Sequence, residues 1–204
     1  MQFGLLPNFG TGNTNILKSL KIMANEIEAQ VAELEKKIKQ LQKSQPKDQI
    51  SIIAFSGDLD KMLAAMIIAT GARAMDTEVK MFFTFWATAM LRDPKKTGKG
   101  KDFMSKMFGF MLPKGSSKLK LSKMNMCGMG TAMLKVLMKK KRVSSLEELL
   151  VIAGELGVEI NVCEMSMDLM GFKREEMLDY PNLKYVGVGS YLADADESRI
   201  QLFI

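Results

Sequence analysis

Residues 50–55 read ISIIAF, an apolar run with a single polar member, and short runs of this kind recur along the chain. A strand buried on both faces loses the usual in–out alternation, so such a run marks a strand inside a parallel sheet. Further strands are expected at residues 78–83 (EVKMFF), 158–162, 184–188 and 200–204. Helical stretches stand between them. One spans 59–75, after the turn Ser56-Gly57-Asp58, and another 131–140. A third opens at the capping-box spacing of Ser144 and Glu147 and stops near Gly157. Strand and helix in alternation imply βαβ units. The expected fold class is therefore α/β, a doubly wound, mainly parallel five-stranded sheet with helices on both faces, preceded by a long N-terminal helix.

That leading helix covers residues 16–45 and follows a Gly- and Asn-rich lead-in over residues 1–15. Leu20, Met23 and Ile27 are spaced a, d, a; Val31, Leu34, Ile38 and Leu41 then read a, d, a, d after a four-residue stutter. So narrow a stripe needs a partner, and self-association of a coiled-coil-like helix into a homo-oligomer is expected. Residues 49–204 form the α/β domain.

Histidine is absent, which removes the Ser-His-Asp triad, Cys-His pairs, His-based zinc sites and axial-His haem ligation. The two cysteines form no Cys-x-x-Cys, and no secretory signal or membrane-spanning run is read from the chain, so a reducing, cytoplasmic location is expected. Thioethers bind Cu(I), but Met104, Met107, Met111 and Met133 stand at helix-like spacings that read as core or adaptable surface. No metal and no cofactor is expected. Between Arg92 and Arg142 fifteen Lys/Arg face only Asp93 and Asp102, a net of +13, while the remainder carries −7. Such a segment favours anions, an acidic partner or an anionic membrane surface. Its lysines lack an interleaved aromatic platform, so nucleic acid is not an expected partner.

Working groups in an open parallel sheet collect beyond the carboxyl ends of the strands. Ser56 and Asp58, Trp86, Cys163 with Ser166, and the segment from Gly187 to Ser190 fall there. A thiol at a helix start faces unpaired N–H groups that favour its thiolate, which is how a cysteine becomes nucleophilic without histidine. A free cysteine is also among the most buried residue types, so on pattern alone Cys163 reads first as core. Near Cys127, the backbone of Gly128 and Gly130 and the hydroxyl of Thr131 offer anion donors, with Lys123 close in sequence. Residues 104–112 (MSKMFGFML) read as a lid, a partner surface or a membrane contact.

The segment Cys163-Glu164-Met165-Ser166-Met167-Asp168-Leu169-Met170-Gly171 resembles the DsrE/DsrF-like family of sulfur-relay proteins, in the branch that carries Cys-x-Met-Ser-Met-Asp-x-Met-Gly. The turn from Phe55 to Lys61, the strand end Phe82-Phe83-Thr84-Phe85-Trp86, the loop from Met124 to Thr131 and the C-terminal Leu202-Phe203-Ile204 extend the resemblance over residues 49–204. It implies oligomeric assembly and a sulfur carrier or sulfurtransferase that holds sulfane sulfur as a persulfide on Cys163, with other sulfur-relay proteins as partners. Cys127 would be a second thiol able to resolve the persulfide. Two other functions compete: a non-enzymatic scaffold or membrane- or partner-binding module using residues 92–142, and a small-anion or nucleotide binder at residues 128–131.

Overall fold

The computed structural model describes residues 12–98 and 100–204. It divides into two units, Met1–Gln45 and Pro46–Ile204. In the first, α1 (Gly12–Ser44) is one 33-residue helix. The expected lead-in is shorter than its sequence implied: Gly12 to Asn15 already belong to α1, and residues 1–11 lie outside the described residues.

The second unit is a five-stranded sheet in the order β4-β3-β2-β1-β5, and every strand pairing is parallel. Its strands are β1 (Lys47–Ala54), β2 (Glu78–Phe83), β3 (Glu159–Cys163), β4 (Leu183–Val186) and β5 (Ser198–Phe203). The helices are α2 (Leu59–Ala74), α3 (Phe103–Met111), α4 (Met129–Lys141), α5 (Leu146–Glu155), α6 (Glu164–Met170) and α7 (Val188–Asp196). A 3₁₀ stretch, Phe85–Leu91, follows β2.

One sheet face is wholly apolar. Ile50, Ile52 and Ala54 of β1, Val79, Met81 and Phe83 of β2, and Ile160 and Val162 of β3 alternate onto it. They pack against Met62, Met66 and Ala69 of α2 and Leu149, Leu150 and Ala153 of α5. α5 starts at Ser145, whose hydroxyl accepts the Glu148 N–H while the Glu148 carboxylate accepts the Ser145 N–H. The capping box is therefore one residue later than the Ser144–Glu147 spacing.

The other face is mixed: Gln49, Ser51, Lys80 and Asn161 share it with Ile53 and Phe82, whose ring packs on Tyr191. Strand β5 lies beyond β1 on the opposite edge from β2, so the right-handed crossover through α7 runs the other way and lands there. The Gln49 amide donates to Ser198 Oγ (2.7 Å) and the Asp194 carbonyl (3.0 Å), and Lys80 Nζ donates to Asp194 Oδ1 (2.6 Å). These bonds hold α7, an element without a clear sequence signal, because Gly189 and four alanine or aspartate positions flatten its apolar contrast.

The connection from β2 to α4 is secured by a buried charge cluster. Arg92 Nη2 lies 3.3 Å from Glu176 Oε2, Lys101 pairs with the other carboxylate oxygen, and Phe172 stacks under the Arg92 guanidinium at 4.5 Å. Arg92 Nη1 also donates to the carbonyls of Gly109 (3.2 Å) and Pro113 (3.4 Å), fastening α3. Removing one partner of a buried pair leaves uncompensated charge, so Glu176→Ala should cost about 3–5 kcal/mol. Differential scanning calorimetry should show the melting temperature falling by roughly 10 °C, given ~2–4 °C per kcal/mol at this size. A shift of only a degree or two would mean the cluster does not hold this connection.

Candidate functional site

Parallel pairing gathers the carboxyl ends of all five strands along one edge, and the candidate residues divide there into three linked groups. The first follows β1. Ser56 Oγ donates to Asp58 Oδ2 (2.8 Å) and accepts the Asp58 N–H (3.2 Å), while Lys61 Nζ lies 3.0 Å from Asp58. Ser56, Asp58 and Trp86 line one cleft of about 350 Å³ with Leu112 and Pro113. A Cβ on Gly57 would sit 2.9 Å from the Trp86 carbonyl oxygen, so glycine allows the two strand ends to approach this closely.

The second group is the loop before α4. Met124, Met126 and Cys127 all have left-handed φ (55°, 41° and 57°), a costly run for residues with side chains. Asn125 holds it. The Asn125 carbonyl accepts the N–H groups of Gly128 (2.7 Å) and Gly130 (3.1 Å), and its side-chain oxygen accepts the Thr131 hydroxyl (2.8 Å). The Thr131 oxygen accepts the Leu121 N–H (3.1 Å). The donors read from sequence as an anion cradle are thus already occupied within the loop. A Cβ on Gly130 would lie 1.9 Å from the Met124 carbonyl oxygen, so this glycine serves close packing. Cys127 and Lys123 are exposed.

The third group is Cys163 and the start of α6. Cys163 ends β3, where it pairs with Val186, and is the N-cap of α6. Strand alternation turns it to the face shared with Glu159, Asn161 and Phe82, where it is buried at 3% exposure apart from the apolar cluster under α2 and α5. Ser166 is fully buried and its hydroxyl bonds that of Thr84 at 2.8 Å, tying α6 to the end of β2. The neighbouring acids point elsewhere: Glu164 pairs with Arg174, which stacks on Tyr185, and Asp168 is exposed. Among the described residues no three Cys, Asp or Glu side chains converge to hold a metal ion, and no helix is long and apolar enough to cross a membrane.

Backbone and side-chain bonds join these groups. The Leu59 N–H donates to the Lys120 carbonyl (2.8 Å), and Ser122 bonds Asp60 through its N–H (2.9 Å) and hydroxyl (2.5 Å), so the first turn and the central loop are tied together. The Thr84 N–H donates to the Ala54 carbonyl and the Ala87 N–H to the Phe55 carbonyl, linking both to Trp86. Asn125, Ser122 and Thr84 are the positioning residues. The sequence places Thr84 at the strand end beside Trp86 and Asn125 in the central loop without assigning either a bond, and Ser122 carries no signal.

Comparison with known proteins assigns the family. The model of the DsrE/DsrF/DrsH-like family matches residues 46–203. The chain belongs to that family. Within it, the chain is 49% identical over 154 residues to the uncharacterized protein YrkE of Bacillus subtilis, covering 76% of this chain and 95% of that protein. It is 35% identical over 160 residues to the sulfur carrier protein DsrE2 of Allochromatium vinosum, covering 76% and 98%. The crystal structure of the ychN protein from E. coli aligns with a TM-score of 0.48 at 11% identity, over 76% of this chain and 98% of that one. In this DsrE-like chain α1 lies outside the matched region.

The Asp60–Ser122 contact gives the site a pH response. Partial burial pushes the Asp60 carboxyl up, but the Ser122 hydroxyl and N–H and the Lys61 charge outweigh it and hold the group below the usual carboxylate range. Stability from such a group is present above its unfolded value of 3.8 and is lost as pH falls through the lower folded value. Ser122→Ala removes a donor, so acid loosening of this edge should begin at higher pH. Fluorescence of Trp86, the sole tryptophan, reads the titration; an unchanged acid midpoint would show that the hydroxyl does not hold Asp60.

Proposed function

We propose that this chain is a sulfur carrier in which Cys163 holds sulfane sulfur as a persulfide and passes it to a partner thiol. Membership of the DsrE-like family and similarity to a protein named a sulfur carrier support the relay role. The observation that carries the assignment to Cys163 is its position: the carboxyl edge of a parallel sheet, at the N-cap of α6, outside the apolar core. The N–H groups of the first turn of α6, unpaired within the helix, lie at that end.

In this reading the Cys163 thiolate attacks the outer sulfur of a donor persulfide. Its electron pair forms the new S–S bond, the donor's S–S bond breaks, and the donor leaves as a thiolate. An acceptor thiolate then attacks the outer sulfur of Cys163–S–SH and Cys163 departs as thiolate, so the cycle needs no oxidant. The partners are other sulfur-relay proteins of the cytoplasm, and the exposed Cys127 is a second thiol able to resolve the persulfide. Cys163 is 3% exposed, so transfer proceeds through local opening of its surroundings.

Incubating the folded chain with a low-molecular-weight persulfide should add about 32 mass units, one sulfur, at Cys163. Cys163→Ser should abolish the adduct and Cys127→Ser should retain it. Modification of Cys127 alone, with Cys163 untouched, would overturn the assignment.

The face of α3 favours a second role in partner docking. None of its residues is buried, and Phe103 and Phe110 are 79% and 92% exposed within the basic segment. Ser105 abuts Gly171, the C-cap of α6. An acidic partner or anionic membrane surface meeting α3 would therefore bear directly on the helix that Cys163 caps.

A further inference from the structure

The unit that the family match leaves out carries its own information. α1 is 33 residues long, and every side chain from Lys18 to Leu41 is exposed. Within it, Leu20, Met23, Ile27, Val31, Leu34 and Ile38 are 47–57% exposed. Steps of three and four residues align these six along one stripe, and the remaining positions carry mostly Glu, Lys and Gln. Glu33 and Lys37 pair with each other beside the stripe at 2.7 Å, as solvated i, i+4 partners do. Helices in proteins draw most of their stability from packing an apolar stripe, and from Leu20 to Ile38 the stripe of α1 is exposed.

We propose that the stripe is the seam of a parallel, two-stranded coiled coil joining two copies of this chain. The side chains select the arrangement. In the register where Val31 and Ile38 are a positions, Leu34 is d, and β-branched residues at a with leucine at d favour two parallel strands. Parallel pairing sets Gln30 at g opposite Glu35 at e, so no like charges meet there. The four-residue step from Ile27 to Val31 is a stutter that locally unwinds the supercoil without losing the seam. Six seam side chains from each helix, at roughly 100 Å² apiece, bury about 1,200 Å², enough to clear the size of a specific interface.

The family domain matches over residues 46–203, and the relatives align with this chain over 95% and 98% of their own lengths. The coiled coil is therefore an addition to the domain they share, and its consequence is a paired carrier. The proposal does not rest on the chemistry of Cys163, and its test removes both native thiols.

In the full chain with Cys127→Ser and Cys163→Ser, a single cysteine is introduced at the seam (Leu34→Cys) or on the outer face (Lys36→Cys) and oxidised at low protein concentration. Leu34→Cys should convert almost completely to a disulfide-linked dimer on a non-reducing gel, while Lys36→Cys remains single. An antiparallel pair, or a helix from another protein on the stripe, would leave Leu34→Cys unlinked and overturn the proposal, as would equal linkage at both positions. Circular dichroism gives an independent arm: Val31→Asp with Ile38→Asp should lower the helical signal at 222 nm as α1 loses its partner. An undiminished signal would show α1 standing without a seam and would also overturn it.

Discussion

Parallel pairing is the constraint on which the rest of this domain depends. In a parallel ladder each strand must return to its starting edge through a long crossover, so every turn that follows a strand lies at one edge of the sheet. β1 delivers Ser56 and Asp58 to that edge, β2 delivers Thr84 and Trp86, and β3 delivers Cys163. The same pairing separates the faces. Alternate residues of β1, β2 and β3 fill an apolar core under α2 and α5, and on the opposite face Gln49 and Lys80 hold α7 by hydrogen bonds while Phe82 packs on Tyr191. Cys163 belongs to the second set, on the face turned away from α2 and α5.

The charged residues act mainly on the connections. Arg92, Lys101 and Glu176 are buried together, and their attraction fixes a long, lysine-rich excursion whose helix α3 buries none of its own apolar side chains. Asp60 and Ser122 tie the central loop to the first turn, while Asn125 satisfies the loop's own donors. The high positive charge of this segment is therefore partly structural, and the apolar surface it presents remains open to a partner.

Most of the fold was legible because burial writes itself into short apolar runs. β2 was read at its observed limits, β1, β3, β4 and β5 within a few residues, and α2 from the turn that starts it. The misses have physical causes. Ser144 and Ser145 offer the same hydroxyl, and Glu147 and Glu148 the same carboxylate, so the capping box was read one residue early. α7 has little apolar contrast because it rests on hydrogen bonds to Gln49 and Lys80. The Arg92–Glu176 pair spans 84 residues of chain, and nothing local announces it. At the site, Cys163, Ser56, Asp58 and Trp86 were legible as strand-end residues, whereas Gly128, Gly130 and Thr131 read as donors because their acceptor, Asn125, is set by backbone geometry.

The central claim is that Cys163 works as a thiol in the native protein, and its accessibility tests this most directly. In the Cys127→Ser chain, the alkylation rate of Cys163 is followed by mass spectrometry across sub-denaturing urea. Reaction through local opening should be nearly independent of urea at low concentration and faster than global unfolding. A rate that equals global unfolding and rises with its full urea dependence would make Cys163 a structural residue and contradict the account.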